Sequence, residues 1–268
     1  MGKIKNVPFR VFCYVIVFLF LFIYLFPLFF VANTSLKSAQ DYLLHPTALT
    51  STWSFGNYIT AWNKANFGAY IGNSILYTGV CTICSLLLSL LIAFPISRKY
   101  VPGAGFLYLL FLCGLFLPNG MIPTFQMVLN MGLYDTKIGY MLVMTGVNAT
   151  SVFFFTGYFK SIPRELDEAA AIDGCGYLRY VIRCIVPLAQ PAMVSMGMLS
   201  MIGVWNDIVS STIYLTSESN YNITRGLFVF TGQYSNDWTL TAAGLLVVAA
   251  PLILIYIFGQ RYIVDGVM

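Results

Sequence analysis

Residues 71–96 read IGNSILYTGVCTICSLLLSLLIAFPI and contain no charged side chain. A membrane-crossing helix needs about 20 predominantly apolar residues, and this stretch exceeds that. Five more stretches of the same kind occur at 11–32, 105–128, 138–159, 185–208 and 240–260. Of the 268 residues, 59% are hydrophobic and only 9% are charged, against about 25% charged in a typical soluble domain. Such a chain cannot cover itself with polar groups, so its solvent must be lipid. The reading is an all-α polytopic membrane protein with six transmembrane helices, forming one transmembrane domain over 1–268. Lys3, Lys5 and Arg10 precede the first apolar run as in a signal peptide. That run is about twice a signal core and lacks a small-residue cleavage site, so it reads as an uncleaved span. Pro27, Pro95, Pro118, Pro123 and Pro251 interrupt spans, and neighbouring helices must satisfy the carbonyls they free.

Six spans put both termini on one side. With that side cytoplasmic, the inner segments hold Lys3, Lys5, Arg10, Arg98, Lys99, Lys160, Arg164, Arg179, Arg183 and Arg261, and the outer ones hold Lys37, Lys64, Lys137 and Arg225. Ten against four selects both termini inside by the positive-inside rule. The outer segments 33–69 and 211–238 carry Trp53, Phe55, Tyr58, Trp62 and Trp238, which suit an interfacial belt or a surface for an external partner. His45 is the only histidine, and Cys81 and Cys84 form a C-x-x-C pair within an apolar run. Neither a metal site nor a catalytic set is expected.

One loop differs from the rest. Residues 160–183 hold four of the ten acidic side chains: Glu165, Asp167, Glu168 and Asp173. Pro163 suits a first helical position, and acids suit an opening turn. Ala169, Ala170 and Ala171 favour helix, and Gly174 offers a bend or cap. Tyr177 to Arg183 reads as a second short helical piece leading into a span beginning at Pro187. The acidic helix, with its flat alanine face, serves either as a docking element or as a solvated connection.

The series Glu168-Ala169-Ala170, then Gly174, then Pro187 thirteen residues later, resembles the signature loop of binding-protein-dependent ABC importer permeases. The resemblance extends to the carbohydrate-uptake class through Asn73-Ser74, the run from Ile162 to Leu166, Ile172-Asp173-Gly174, Trp205-Asn206-Asp207 and Gln260-Arg261-Tyr262. Cys184 departs mildly from the usual aliphatic before the proline. The chain ends at Met268, short of a basic tail that many members carry.

The resemblance implies a membrane subunit that moves a sugar or oligosaccharide by alternating access. It implies a second permease subunit, a dimer of ATPase subunits and an extracytoplasmic solute-binding protein, all at a bacterial cell membrane. The helix at 163–174 would be the cytoplasmic coupling helix. Glu165, Glu168, Ala169, Ala170, Asp173, Gly174 and Pro187 would make up the ATPase-coupling set. The chain has no G-x-x-x-x-G-K-[ST] motif, so ATP and Mg are expected on the partner ATPase, and this chain is expected to be non-catalytic and to bind no cofactor. No nucleic-acid partner is expected. Sugar recognition needs hydroxyl partners and aromatic faces, which makes Asn148, Tyr158, Trp205, Asn206 and Asp207 the substrate-pathway candidates. For Asp207 a capping role competes with a pathway role. For Asn73, Asn119, Asn148 and Asn206, bonding to a neighbouring helix competes with contact to cargo. A permease for amino acids, peptides or phosphate, or a secondary transporter, are the competing functions.

Overall fold

The computed structural model describes residues 7–51, 53–117, 120–230 and 237–267, with side chains up to Ile257 and at Gln260 in the last stretch. Lys3, Lys5, Pro118, Asn119 and the side chains of Arg261 and Tyr262 lie outside the described residues. The described chain is helical, with no strand. The helices are α1 (Val7–Ser35), α2 (Ala39–Leu44), α3 (Gly56–Lys64), α4 (Phe67–Arg98), α5 (Ala104–Gly114), α6 (Met121–Asn130) and α7 (Lys137–Met144). They continue as α8 (Ala149–Ser161), α9 (Glu165–Ile172), α10 (Tyr177–Leu188), α11 (Gln190–Trp205), α12 (Val209–Tyr214), α13 (Ile223–Gly226) and α14 (Trp238–Val267).

Among the described residues, Phe9–Ser35, Phe67–Arg98 and Trp238–Ile257 are each long and apolar enough to cross a bilayer. Two bent pairs pass the same test, α7 with α8 at 48° and α10 with α11 at 76°. This is a polytopic membrane architecture. The expected span 105–128 is divided between α5 and α6. Gly114 and Gly120 flank the division, and glycine lowers helix propensity by about 1 kcal/mol. The span expected from 185 starts earlier, at Tyr177. Its first piece contains a π-helical turn at Val181–Ile185, and Pro187 lies inside it rather than opening the span. Pro187 and Pro191 remove two backbone donors on either side of the bend. The carbonyl of Leu188 at that bend accepts a hydrogen bond from the Tyr158 hydroxyl at 2.8 Å, so a neighbouring helix braces the bend with a polar contact.

The chain forms two compact units, 1–68 with 226–251 and 69–225 with 252–268. In the first, the apolar window of α1 buries none of its residues, as expected of a helix that is hydrophobic on all sides and meant for lipid or another chain. After α1 the chain is knotted by polar contacts. Asn57 Nδ2 donates to the carbonyls of Ser35 and Lys37, each at 2.8 Å. Asn33 Nδ2 donates to the Ala48 carbonyl at 2.9 Å. The fully buried Lys37 aims its ammonium at the carbonyls of His45 and Pro46.

The second unit is organised around α4. Its lower half packs Leu86, Leu90, Ala93 and Phe94 against α8, α10 and α11. Its upper half packs Tyr77 and Cys81 against Tyr140, Val204 and Tyr214. Lipid is as apolar as leucine, so close van der Waals fit holds such helices together rather than escape from water. Gly197 of α11 shows the fit: a Cβ there would come within 3.2 Å of Leu86 Cδ1.

Candidate functional site

The charged loop is built as a short helix with firm ends. Ile162 is extended at φ −77°, ψ 127°, as a residue before proline must be, and this ends α8. Arg164 caps α9, and its carbonyl accepts from the N–H groups of Asp167 and Glu168. Pro163 therefore lies just before the cap and not in the first turn. Glu165, Asp167 and Glu168 occupy the opening turn, where the helix dipole favours negative charge. At the far end Gly174 takes φ +67°. The Cys175 N–H reaches the Ala170 carbonyl at 2.9 Å and the Gly174 N–H reaches that of Ala171 at 3.1 Å. This pair of bonds is a Schellman closure, which needs a left-handed residue at Gly174.

The two faces of α9 have different surroundings. Glu165, Glu168, Ala169, Asp173 and Gly174 are exposed, along with Leu166 and the 86% exposed Ile172. Ala170 packs on the core shared by α4, α8 and α10. Pro187 is exposed, in α10.

Asp167, which was not singled out in the coupling set, fixes the inner face. Its Oδ2 lies 2.8 Å from Arg98 Nε at the end of α4, an ion pair whose N–H is not aimed for a hydrogen bond. The same oxygen accepts from the Tyr100 hydroxyl at 2.8 Å, and Oδ1 accepts from the Tyr180 hydroxyl of α10. Arg98 is 5% exposed, and its Nη1 donates to the Ile162 carbonyl at 2.9 Å. Burial first, and then the hydrogen bond to Asp167 and its charge, push the Tyr100 phenol up to about 12. Asp167 thus ties α9 to α4, to the turn after α4 and to α10. One signal was present in the sequence: Asp167 and Ala170 share a helix face by their i, i+3 spacing, the face that is buried.

The substrate-pathway candidates separate. Between α7 and α8, residues 146–148 are unwound. Asn148 caps α8, its Oδ1 accepting from the Thr150 N–H at 2.9 Å. Asn148 and Asp207 line one cavity of about 1080 Å³. Asn148 also lines a second of about 360 Å³ with Ser85, Ser151 and Ser200. Tyr158, Trp205 and Asn206 line neither. The Tyr158 hydroxyl is engaged at Leu188, Trp205 is 2% exposed, and Asn206 is the exposed C-cap of α11. Asp207 does cap a helix. Its carboxylate accepts from the N–H groups of Ser210 and Ser211 at 3.2 and 2.8 Å and from the Tyr140 hydroxyl at 3.0 Å.

A second polar knot holds the segment after α12. Asp135, in the left-handed region at φ +57°, accepts from the N–H groups of Thr216 and Ser217 and from the Ser217 hydroxyl. Burial raises its pKa, but these hydrogen bonds outweigh it and hold the carboxyl well below the usual range. Asn73 Nδ2 donates to the carbonyls of Ser219 and Tyr221, each at 2.9 Å. Lys137 Nζ donates to Asn73 Oδ1 at 2.6 Å. Ser74 Oγ accepts from the Ile223 N–H at 2.7 Å. The Asn73-Ser74 pair therefore serves this segment, and Asn73 lines neither cavity.

Comparison with known proteins agrees with this architecture. Over 257 residues the chain is 32% identical to the inner membrane ABC transporter permease protein YcjP of Escherichia coli (strain K12), covering 92% of this chain and 91% of that one. It is 30% identical to the diacetylchitobiose uptake system permease protein NgcG of Streptomyces coelicolor, covering 90% and 82%. Its fold matches, with a TM-score of 0.87, a chain in the crystal structure of a bacterial ABC transporter involved in the import of the acidic polysaccharide alginate. That match covers 98% of this chain and 99% of the other at 22% identity. Residues 67–267 match the family described as the binding-protein-dependent transport system inner membrane component, and the chain belongs to that family.

Proposed function

We propose that this chain is the membrane subunit of an ATP-driven importer that passes a sugar or oligosaccharide from an external binding protein into the cytoplasm. It would work beside a second permease and on a dimer of ATPase subunits, which would hold ATP and Mg. The observation that carries this reading is the two-sided character of α9. Its outer face, with Glu165, Glu168, Ala169 and Ile172, is free to enter a groove. Its inner face is held through Asp167 and Ala170 to the helices that lead to the cavities. A helix exposed on one side and bolted on the other can pass a push as a rigid body. The carbohydrate class is supported by the diacetylchitobiose relative and by the amide, hydroxyl and carboxylate groups set among the apolar side chains that line the cavities. Termini facing the cytoplasm, read from the charge bias, put α9 on the ATPase side.

Glu168→Lys tests the docking face. Glu168 is exposed, so its replacement leaves the fold intact, but it reverses a charge at a helix start where the dipole disfavours cations by about 0.3–1 kcal/mol. The expected result is a chain present in the membrane at the normal level, poor co-purification of the ATPase, and sugar uptake reduced at least about tenfold. A Gly174→Trp variant should act similarly, because its φ of +67° strains any side chain. Normal uptake by both would refute the assignment of α9 as the docking element.

A further inference from the structure

We infer that the unwound segment 146–148 is a binding site for an uncharged, hydroxyl-rich sugar ring, with Asn148 as hydrogen-bond donor and Asp207, which lines the same cavity, as acceptor. The inference rests on the import reading above and adds a place and a charge rule to it.

Non-helical backbone at membrane depth is tolerated only where it is buried in protein or lines a cavity, and broken helices at cavities are where transporters hold their cargo. The break at 146–148 meets this condition on both sides. Gly146 and Asn148 line the larger cavity and also the smaller one. The polar groups there are only partly used. Asn148 Oδ1 is taken by the Thr150 N–H, while Nδ2 has no partner among the described residues and lies on an exposed side chain. The Gly146 carbonyl takes one hydrogen bond, from Ser85 Oγ at 3.3 Å, and a carbonyl has two lone pairs. Asp207 Oδ1 takes one N–H, that of Ser210, and retains accepting capacity. Hydroxyls of Ser85, Thr150, Ser151 and Ser200 line the smaller cavity. A ring of sugar hydroxyls, each both donor and acceptor, matches this mixed set. A purely apolar ligand would leave it unpaired.

The charge rule follows from the lining. Among the described residues the only charged side chain at either cavity is Asp207, and no Lys, Arg or His lines them. A carboxylate-bearing sugar would face a like charge in a poorly screened site. A neutral sugar would meet an acceptor. The fold neighbour is involved in import of an acidic polysaccharide, so fold alone does not set this preference.

The test uses the complete transporter in proteoliposomes, with this chain, its partner permease, the ATPase and the binding protein. Neutral glucose- and N-acetylglucosamine-based oligosaccharides are compared with hexuronate oligosaccharides, and a photoreactive analogue of the best neutral sugar is crosslinked and mapped. Asn148→Asp is the main variant, because aspartate keeps the size and the cap on α8 while replacing the donor by a carboxylate. Uptake of a neutral oligosaccharide is expected, with crosslinks at 144–148 and 207–210 and an uptake rate at least tenfold lower in N148D. N148D should reach the membrane and assemble with the ATPase at the wild-type level, since the cap on α8 is kept. A hexuronate taken up as fast as the neutral sugar overturns the charge rule. Wild-type uptake by N148D, or crosslinks confined to other residues, overturns the site while leaving the import function standing. If no sugar of either kind is taken up or stimulates ATP hydrolysis, the import reading itself fails, and the site fails with it.

Discussion

Asp167→Ala should cut sugar uptake at least about tenfold while the assembled complex still hydrolyses ATP. The carboxylate holds Arg98 at 2.8 Å and accepts hydroxyl bonds from Tyr100 and Tyr180. Removing it leaves the buried guanidinium of Arg98 without its counter-charge. Breaking one side of a buried pair typically costs about 3–5 kcal/mol. Asp167 is only nine-tenths buried and lies in the opening turn of a short helix, so the lower end of that range applies. The loss is local. Ala170 and the Schellman closure remain, so α9 persists as a helix but no longer moves as one piece with α4 and α10. A push on α9 is then absorbed at the loosened joint. The decisive quantity is sugar transported per ATP hydrolysed, which should fall. A defect in folding alone would lower both in parallel. Asp167→Asn keeps acceptance from one tyrosine and removes the charge, so it should fall between wild type and alanine. Asp167→Glu keeps the charge on a longer stem and should be the mildest. Arg98→Ala and Asp167→Ala combined should lose less than the sum of the two, because residues in direct contact are energetically coupled. Additive losses, or an unchanged transport ratio in Asp167→Ala, would show that the joint does not transmit the push.

The contacts at this joint are long-range, whereas those that shape α9 itself are local. The helix from 165 to 172 and the bend at Gly174 were legible because their causes are local: acids at a start, alanines within, glycine at an end. The pairing of Arg98 with Asp167 spans 69 positions, and no short-range signal sets it. Arg98 counted in the sequence only as one positive charge among ten on its side. The span limits were legible as apolar runs, but the breaks within them were not. At 146–148 and at Ala189 the hydropathy continues through the bend, because lipid and protein interior favour the same side chains. The candidates for cargo contact divided for a similar reason. Trp205 and Asn206 share a sequence neighbourhood with Asp207, yet the end of α11 turns Trp205 into the core and leaves only Asp207 at the cavity. Asp207, for which a capping role competes with a pathway role, caps α12 and also lines a cavity, because a carboxylate has more lone pairs than its cap uses.

Gly139→Ala should add the most damaging methyl group among the described glycines. Gly139 lies in the first turn of α7, where its N–H donates to the Thr136 hydroxyl at 3.0 Å. A Cβ built there would stand 2.1 Å from the Leu133 carbonyl oxygen and 3.1 Å from Leu133 Cβ. The obstacle is backbone and cannot rotate away. It is also held from both ends, since the Leu133 N–H bonds the Val128 carbonyl and its own carbonyl accepts from the Thr136 hydroxyl at 2.7 Å. Relief therefore requires the turn and α7 to separate by roughly an ångström. Overpacking of this kind costs about 1–3 kcal/mol or more. The displacement would not stay local. Tyr140, the next residue, is buried against Tyr77 and donates to Asp207, and α7 runs directly into the unwound segment at the cavities. Lower membrane abundance, a thermal midpoint in detergent reduced by about 5 °C or more, and weakened uptake by the surviving fraction are expected together. Arg179, exposed on α10, supplies a control: Arg179→Lys should leave the thermal midpoint within about 2 °C of wild type. A Gly139→Ala chain with unaltered midpoint and uptake would mean that the turn does not approach α7 as closely as the structure places it.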